Sequence, residues 1–159
     1  MKLHALGVLF VLALIPAAAF AQNKQVADPV AGTWVLNVGK SKIVPGPAPA
    51  RETRVYTVNG DQLTLTTTIT GADGKPTITR SQYAYDGKDY AVTGSPDYDM
   101  QSVKRVDRST VTAELKKSGK VVQTVSRKVS QDGKTLTMTF KGTNAKGQKV
   151  DSVEVYDRQ

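Results

Sequence analysis

The 159-residue chain has no cysteine and a single histidine, His4, which lies in an apolar N-terminal run. Beyond that run there is neither thiol nor imidazole. Ser-His-Asp and Cys-His catalysis, ordinary zinc sites, proximal-His haem ligation and disulfide stapling are therefore excluded. Leucine is also scarce: five follow residue 21, against 18 valines and 18 threonines, a balance that favours strands over a helical bundle. Aromatic residues make up 6% of the chain. They are not interleaved with its lysines and arginines in the way base stacking requires, so nucleic acid is not an expected partner. No Gly-rich phosphate loop precedes a helical pattern. Asp86, Asp89, Asp97 and Asp99 lack the spacing and terminal glutamate of an EF-hand and read as turn caps. No metal site or cofactor is expected. Nothing in the spacing singles out a carboxylate pair or a Lys/Tyr base, so no enzymatic activity is expected either.

The one long hydrophobic run is at the start. Lys2 supplies a positive n-region, Leu3 to Ile15 an apolar stretch, and Ala19-Phe20-Ala21 a cleavage signal, which together read as a secretory leader over residues 1–21 with the mature chain starting at Gln22. The stretch is short for a bilayer span. The expected product is a periplasmic or secreted, non-membrane-spanning protein, monomeric, with a flexible lead over 22–30 and one domain over 31–159.

Charge is abundant and uneven. The net charge is +8, with 22 Lys+Arg against 14 Asp+Glu. Residues 22–103 are balanced, whereas residues 104–159 carry 13 basic and six acidic side chains. Lys116, Lys117 and Lys120 mark this sector as a basic patch with an anionic envelope surface as its possible partner; a merely solvated basic face is the alternative.

Downstream of a Pro-rich segment, Val44-Pro45-Gly46-Pro47-Ala48-Pro49, expected to be an extended crossing loop, short runs rich in Thr, Val, Tyr and Ile alternate with Asn59-Gly60, Asp73-Gly74, Asp86-Gly87, Ser118-Gly119, Asp132-Gly133 and Lys146-Gly147. Asn-Gly and Asp-Gly are hairpin residues because both central positions of a type I′ turn need positive φ. The expected fold is all-β, an antiparallel up-and-down meander of about eight to ten strands closed into a barrel, since closure removes the sheet edges.

Turn type sets register. A two-residue loop at Asp132-Gly133 opposes Val129 with Leu136, Arg127 with Met138 and Val125 with Phe140. A three-residue loop at residues 117–119 opposes Leu115 with Val121, Ala113 with Gln123 and Val111 with Val125. A two-residue loop at Asp73-Gly74 opposes Ile69 with Ile78, Thr67 with Arg80, Leu65 with Gln82 and Leu63 with Ala84. The resulting inner face is apolar except for Arg80, Gln82, Gln123 and Arg127. Asp86-Gly87 opposes Tyr83 with Tyr90 on the other face. Inward arginines need a partner. Arg80 and Arg127, with hydrogen bonds from Gln82, Gln123 and Tyr156, form a candidate anionic-headgroup site. Pairing with an internal carboxylate such as Glu154 or Glu114 in a filled core, or a register that turns them outward, are the alternatives.

Gly32-Thr33-Trp34 resembles the Gly-x-Trp first-strand signature of the calycins, lipocalins and fatty-acid-binding proteins. Together, "GTWVLNVGKSKIVPGPAPARET", "YDGKDYAVTGSPDYD", "VSQDGKTLTMTFKGTNAKGQ" and the terminal "VYDR" resemble a family of exported bacterial lipocalin-like proteins without an assigned biochemical role. The resemblance implies a barrel and names no ligand. In fatty-acid-binding proteins an Arg-x-Tyr on the last strand holds the carboxylate, whereas Glu154-Val155-Tyr156 matches only its tyrosine. The helix-turn-helix lid has no counterpart, because residues 38–50 are rich in proline and glycine. The lipocalin pattern further implies that Arg158 covers Trp34 and closes one end of the barrel. Two functions remain open: a binding protein holding an apolar or amphiphilic, anionic ligand such as a lipid in the barrel, or a filled barrel presenting the basic hairpins of 104–149 to a polymer or partner protein. Lumen volume separates them.

Overall fold

The computed structural model describes residues 27–159. The expected leader, the cleavage site before Gln22 and most of the 22–30 lead lie outside the described residues. Ten antiparallel strands follow one another: β1 Gly32–Leu36, β2 Arg51–Asn59, β3 Gln62–Thr70, β4 Pro76–Tyr83, β5 Asp86–Thr93, β6 Met100–Arg105, β7 Thr110–Lys117, β8 Lys120–Val129, β9 Thr135–Thr143 and β10 Lys149–Arg158. Each pairs with its sequence neighbour, and β1 pairs with both β2 and β10, so the meander closes into a barrel. Apart from a single 3-10 turn at Val38–Lys40, the described residues contain no helix, and none that could cross a membrane.

Alternating side chains fill the inside. Trp34, Tyr56, Leu63, Tyr83, Val129, Leu136 and Tyr156 are at most 2% exposed and form one core with Val103, Val111, Leu115, Val125, Met138 and Phe140. One barrel end is plugged by residues 28–31. Trp34 donates its indole N–H to the Val30 carbonyl at 2.8 Å, and Val30 is fully buried. Arg158 lies opposite Trp34 across the β1–β10 ladder, its guanidinium 4.1 Å over the indole ring. Arg158 also donates to the carbonyls of Gly133, Ala31 and Pro29.

The opposite end is formed by the Pro-rich segment and the 71–75, 94–99 and 144–148 loops. After β1 leaves β10, Lys42 and Val44 take over as its partners. Lys42 and Val153 exchange backbone bonds of 2.8 Å, and the Ser152 hydroxyl bonds both the N–H and the carbonyl of Val44. The prolines thus lie outside any full ladder, and they run across the mouth.

Two registers differ from expectation. Between β3 and β4 the loop has five residues, Gly71 to Lys75, closed by the Gly74 N–H on the Gly71 carbonyl, and Thr70 pairs with Pro76. This odd-length loop shifts the ladder by one. Leu65 opposes Ser81 and Leu63 opposes Tyr83, so Ser81 and Tyr83 turn inward while Arg80 and Gln82 are exposed outside. Between β7 and β8 the loop is Ser118-Gly119, both at positive φ, and Lys117 pairs with Lys120. A bulge at Val122 then restores phase. Leu115 opposes Gln123, Ala113 opposes Val125, and Val121 lies outside at 48% exposure. The β8–β9 register, by contrast, matches the expected pairs Val129–Leu136, Arg127–Met138 and Val125–Phe140. Tyr83 and Tyr90 do not form the expected outer pair. The β4–β5 ladder is confined to Arg80–Thr93 and Ser81–Val92, and Tyr83 instead meets Tyr85 edge-on at 6.0 Å inside the barrel.

Candidate functional site

The inward positions of β2 are Glu52, Arg54 and Tyr56, set by the short Gly60-Asp61 connection that pairs Val58 with Leu63, Arg54 with Thr67 and Glu52 with Ile69. Those of β10 are Ser152, Glu154 and Tyr156. Where the two strands approach through β1, a buried ionic cluster forms. Arg54 donates from Nε to Glu52 Oε1 at 2.9 Å and to the Tyr156 hydroxyl at 3.0 Å, while its Nη2 lies 2.8 Å from Glu52 Oε1 and 3.9 Å from Glu154 Oε2. The Tyr156 hydroxyl lies 2.9 Å from Glu52 Oε1 and also bonds Glu154 Oε2. Burial, reinforced by the Glu52 charge, pushes the Glu154 carboxyl above its usual range in spite of Arg54. Burial likewise raises the Tyr156 phenol well above its ordinary value.

This cluster is the floor of a pocket of about 460 Å³ at the Pro-rich mouth. Its walls are Ile43, Val44, Pro45, Pro47 and Pro49 on one side, Ile69 and Ala72 on another, with Tyr98, Gln123, Phe140 and Val150 between. Asp97 on the rim accepts from the Ala145 N–H at 2.8 Å, tying the 94–99 loop to the β9–β10 turn.

Below Arg54, Tyr98 and Phe140, which border both spaces, the lumen narrows to a cavity of about 40 Å³. That is room for a water or two, far below a small-molecule site. Arg127 faces it, 5% exposed, with no carboxylate in ion-pair range among the described residues. Instead it donates to the Tyr83 hydroxyl at 3.1 Å and the Tyr85 hydroxyl at 2.6 Å, and its guanidinium lies 5.1 Å from the Tyr56 ring centroid. Arg127 Nε and the Tyr56 hydroxyl are buried without partners. Burial raises the Tyr83 and Tyr85 phenols, so both remain neutral acceptors near pH 7.

The expected ligand residues are therefore not one constellation. Arg80 and Gln82 are outside. Gln123 is buried at the mouth and donates to the Thr143 carbonyl at 3.1 Å. Tyr156 is in the ionic cluster, and Arg127 is at the sealed inner cavity. Glu52, Arg54 and Tyr98 were missed, although the alternation Glu52-x-Arg54-x-Tyr56-x-Val58 leading into Asn59-Gly60 carried the signal. In the Lys116, Lys117 and Lys120 patch, Lys116 lies 2.7 Å from Asp89 and 3.8 Å from Glu114, and Lys117 lies 3.9 Å from Asp99.

Two solved structures share this barrel over nearly their whole length. One is the REP1-NXSQ fatty acid transporter, with a TM-score of 0.58 and 19% identity, covering 84% of this chain and 98% of that one. The other is a zebrafish ileal bile acid-binding protein complexed with cholic acid, with a TM-score of 0.54 and 12% identity, covering 82% and 99%. The likeness is one of fold. No family model matches the sequence, and no curated protein matches it.

Proposed function

We propose that the protein is a small exported binding protein that takes an apolar or amphiphilic molecule at the Pro-rich mouth of the barrel, not in its depth. The carrying observation is the contrast between the two spaces, an apolar-walled mouth pocket of about 460 Å³ ending on buried polar groups and a lumen of about 40 Å³. Two structures with the same barrel are a fatty acid transporter and a bile acid-binding protein, which supports a binding role by analogy of fold. An anionic head held jointly by Arg80 and Arg127 is not supported, because the two side chains lie on opposite faces of the wall.

A neutral fluorophore such as N-phenyl-1-naphthylamine tests this reading. Saturable enhancement is expected with the wild type and with Val106→Trp at the opposite end, and loss of it with Ile69→Trp on the mouth wall. Equal binding by Ile69→Trp, or none by the wild type, contradicts the proposal. Export predicts mature protein beginning at Gln22 in the periplasmic or culture fraction; an intact Met1 on exported protein contradicts it.

A second reading is favoured by the filled lumen together with a groove of about 630 Å³ on the outer sheet, where Lys104 and Lys141, with Lys116 paired to Asp89 and Glu114, flank Ser102, Thr112, Thr124, Ser126 and Thr139. In that reading the barrel presents this face to an anionic polymer. Lys104→Glu with Lys141→Glu should then lower heparin retention more than Lys75→Glu with Lys146→Glu. Equal losses would indicate only net charge.

A further inference from the structure

On a chain of net charge +8, the mouth pocket has an acidic lining. Its charged lining is Glu52, Asp97 and Glu154 against Arg54 alone. Arg54 already spends Nε and Nη2 inside the cluster, leaving only Nη1 without a partner among the described residues. Glu52 is 4% exposed, yet every bond made to it falls on Oε1, and Glu154 is bonded through Oε2. Glu52 Oε2 and Glu154 Oε1 have no hydrogen-bond partner among the described residues, and neither is sealed from the pocket. No three acidic groups among the described residues come close enough to hold a metal ion, which turns the reading from a metal to an organic cation.

Resting on the proposed mouth site, we propose that this site selects a cationic head, a protonated amine or guanidinium carried on an apolar body, and rejects a carboxylate. An ammonium offers donors to the two free carboxylate oxygens, while its apolar part lies along Ile43, Val44 and Ile69. A carboxylate entering the same pocket meets Glu52, Asp97 and the Glu154 carboxyl, with only Nη1 of Arg54 left to receive it, and the excess of like charge disfavours it.

Decylammonium, decanol and decanoate, all below their micellar concentrations, should be titrated against protein loaded with N-phenyl-1-naphthylamine. Decylammonium should displace the probe at a concentration about tenfold lower than decanoate, the least that one charge-assisted hydrogen bond contributes. In Glu154→Gln, checked for native circular dichroism, that preference should collapse. Asp97→Asn, which keeps the acceptor for the Ala145 N–H, should narrow it partly and serves if Glu154→Gln does not fold. Decanoate matching or outcompeting decylammonium on the wild type, or an unchanged preference in both variants, overturns the cation selectivity while leaving the mouth site standing. Failure of the neutral probe to bind overturns both.

Discussion

Arg158 and Glu154 are four residues apart on β10 and do opposite electrostatic work. Arg158 covers Trp34 at the plugged end, so Arg158→Ala removes a cation–π contact of about 0.5–2 kcal/mol and the ties to the Pro29, Ala31 and Gly133 carbonyls. A lower unfolding midpoint and a shifted emission of Trp34, the chain's one tryptophan, are the expected outcomes; an unchanged spectrum and midpoint would mean the plug does not depend on this contact. Glu154 instead carries a cost, since burial and Glu52 raise its carboxyl. The folded state then holds the Glu154 proton more tightly than the unfolded chain does. Stability from this group is full below the ordinary glutamate value and falls as pH rises through the raised folded value. Glu52, Arg54 and Tyr156 face the same carboxyl and are retained in Glu154→Gln. Urea unfolding followed from about pH 4 to 8 should therefore show the Gln variant gaining on the wild type as pH rises; a gap that stays constant or reverses would contradict the shift.

Among the elements, β8 shows how a local irregularity decides what faces the lumen. Val122 bulges, and the backbone of β9 closes against it at Gly142, φ +143°, where an added Cβ would lie 2.0 Å from the Val122 carbonyl oxygen. Gly142→Ala should cost more than about 1–3 kcal/mol of backbone strain, because the clash adds to it. Gly74→Ala, also at positive φ but with nothing within 4 Å of the new Cβ, should cost the strain alone. Equal urea midpoints for the two variants would refute the close approach. Bulges and odd loops of this kind also mark where reading from the sequence stopped. Asp132-Gly133 fixes the β8–β9 register, so Arg127 could be placed inside from its spacing to the turn. Asp73-Gly74 looks equivalent but sits within a five-residue loop opened at Gly71, and that single extra step exchanged Arg80 and Gln82 for Ser81 and Tyr83. Glu52 and Arg54 follow a Pro-rich segment with no periodicity of its own, so their strand's inward phase had to come from the turn after them. The Arg127 hydroxyl partners could not be read from spacing, because Tyr85 lies just past the end of β4.

For the whole molecule, closure of β1 onto β10 divides the barrel into a plugged end, a packed middle and an open mouth. Val, Thr and Gly supply the curved wall; Tyr and Arg fill the space that a larger cavity would need, with the Arg127 guanidinium held by the Tyr83 and Tyr85 hydroxyls. The positive charge lies mostly outside, on the β6–β9 hairpins, whereas the mouth pocket is lined by Glu52, Asp97 and Glu154 against Arg54. Such a separation would draw anions to the wall and cations to the pocket. The distribution also makes the location of binding the central question. Backbone amide shifts recorded during titration with neutral N-phenyl-1-naphthylamine answer it most directly. Binding at the mouth predicts perturbations concentrated at Ile69, Ala72, Asp97, Tyr98 and Val150, with Val111, Tyr83 and Arg127 unmoved. Perturbations centred on Val111, Tyr83 and Arg127, with the mouth unmoved, would show that the barrel opens to hold its ligand in the interior and would contradict the mouth site.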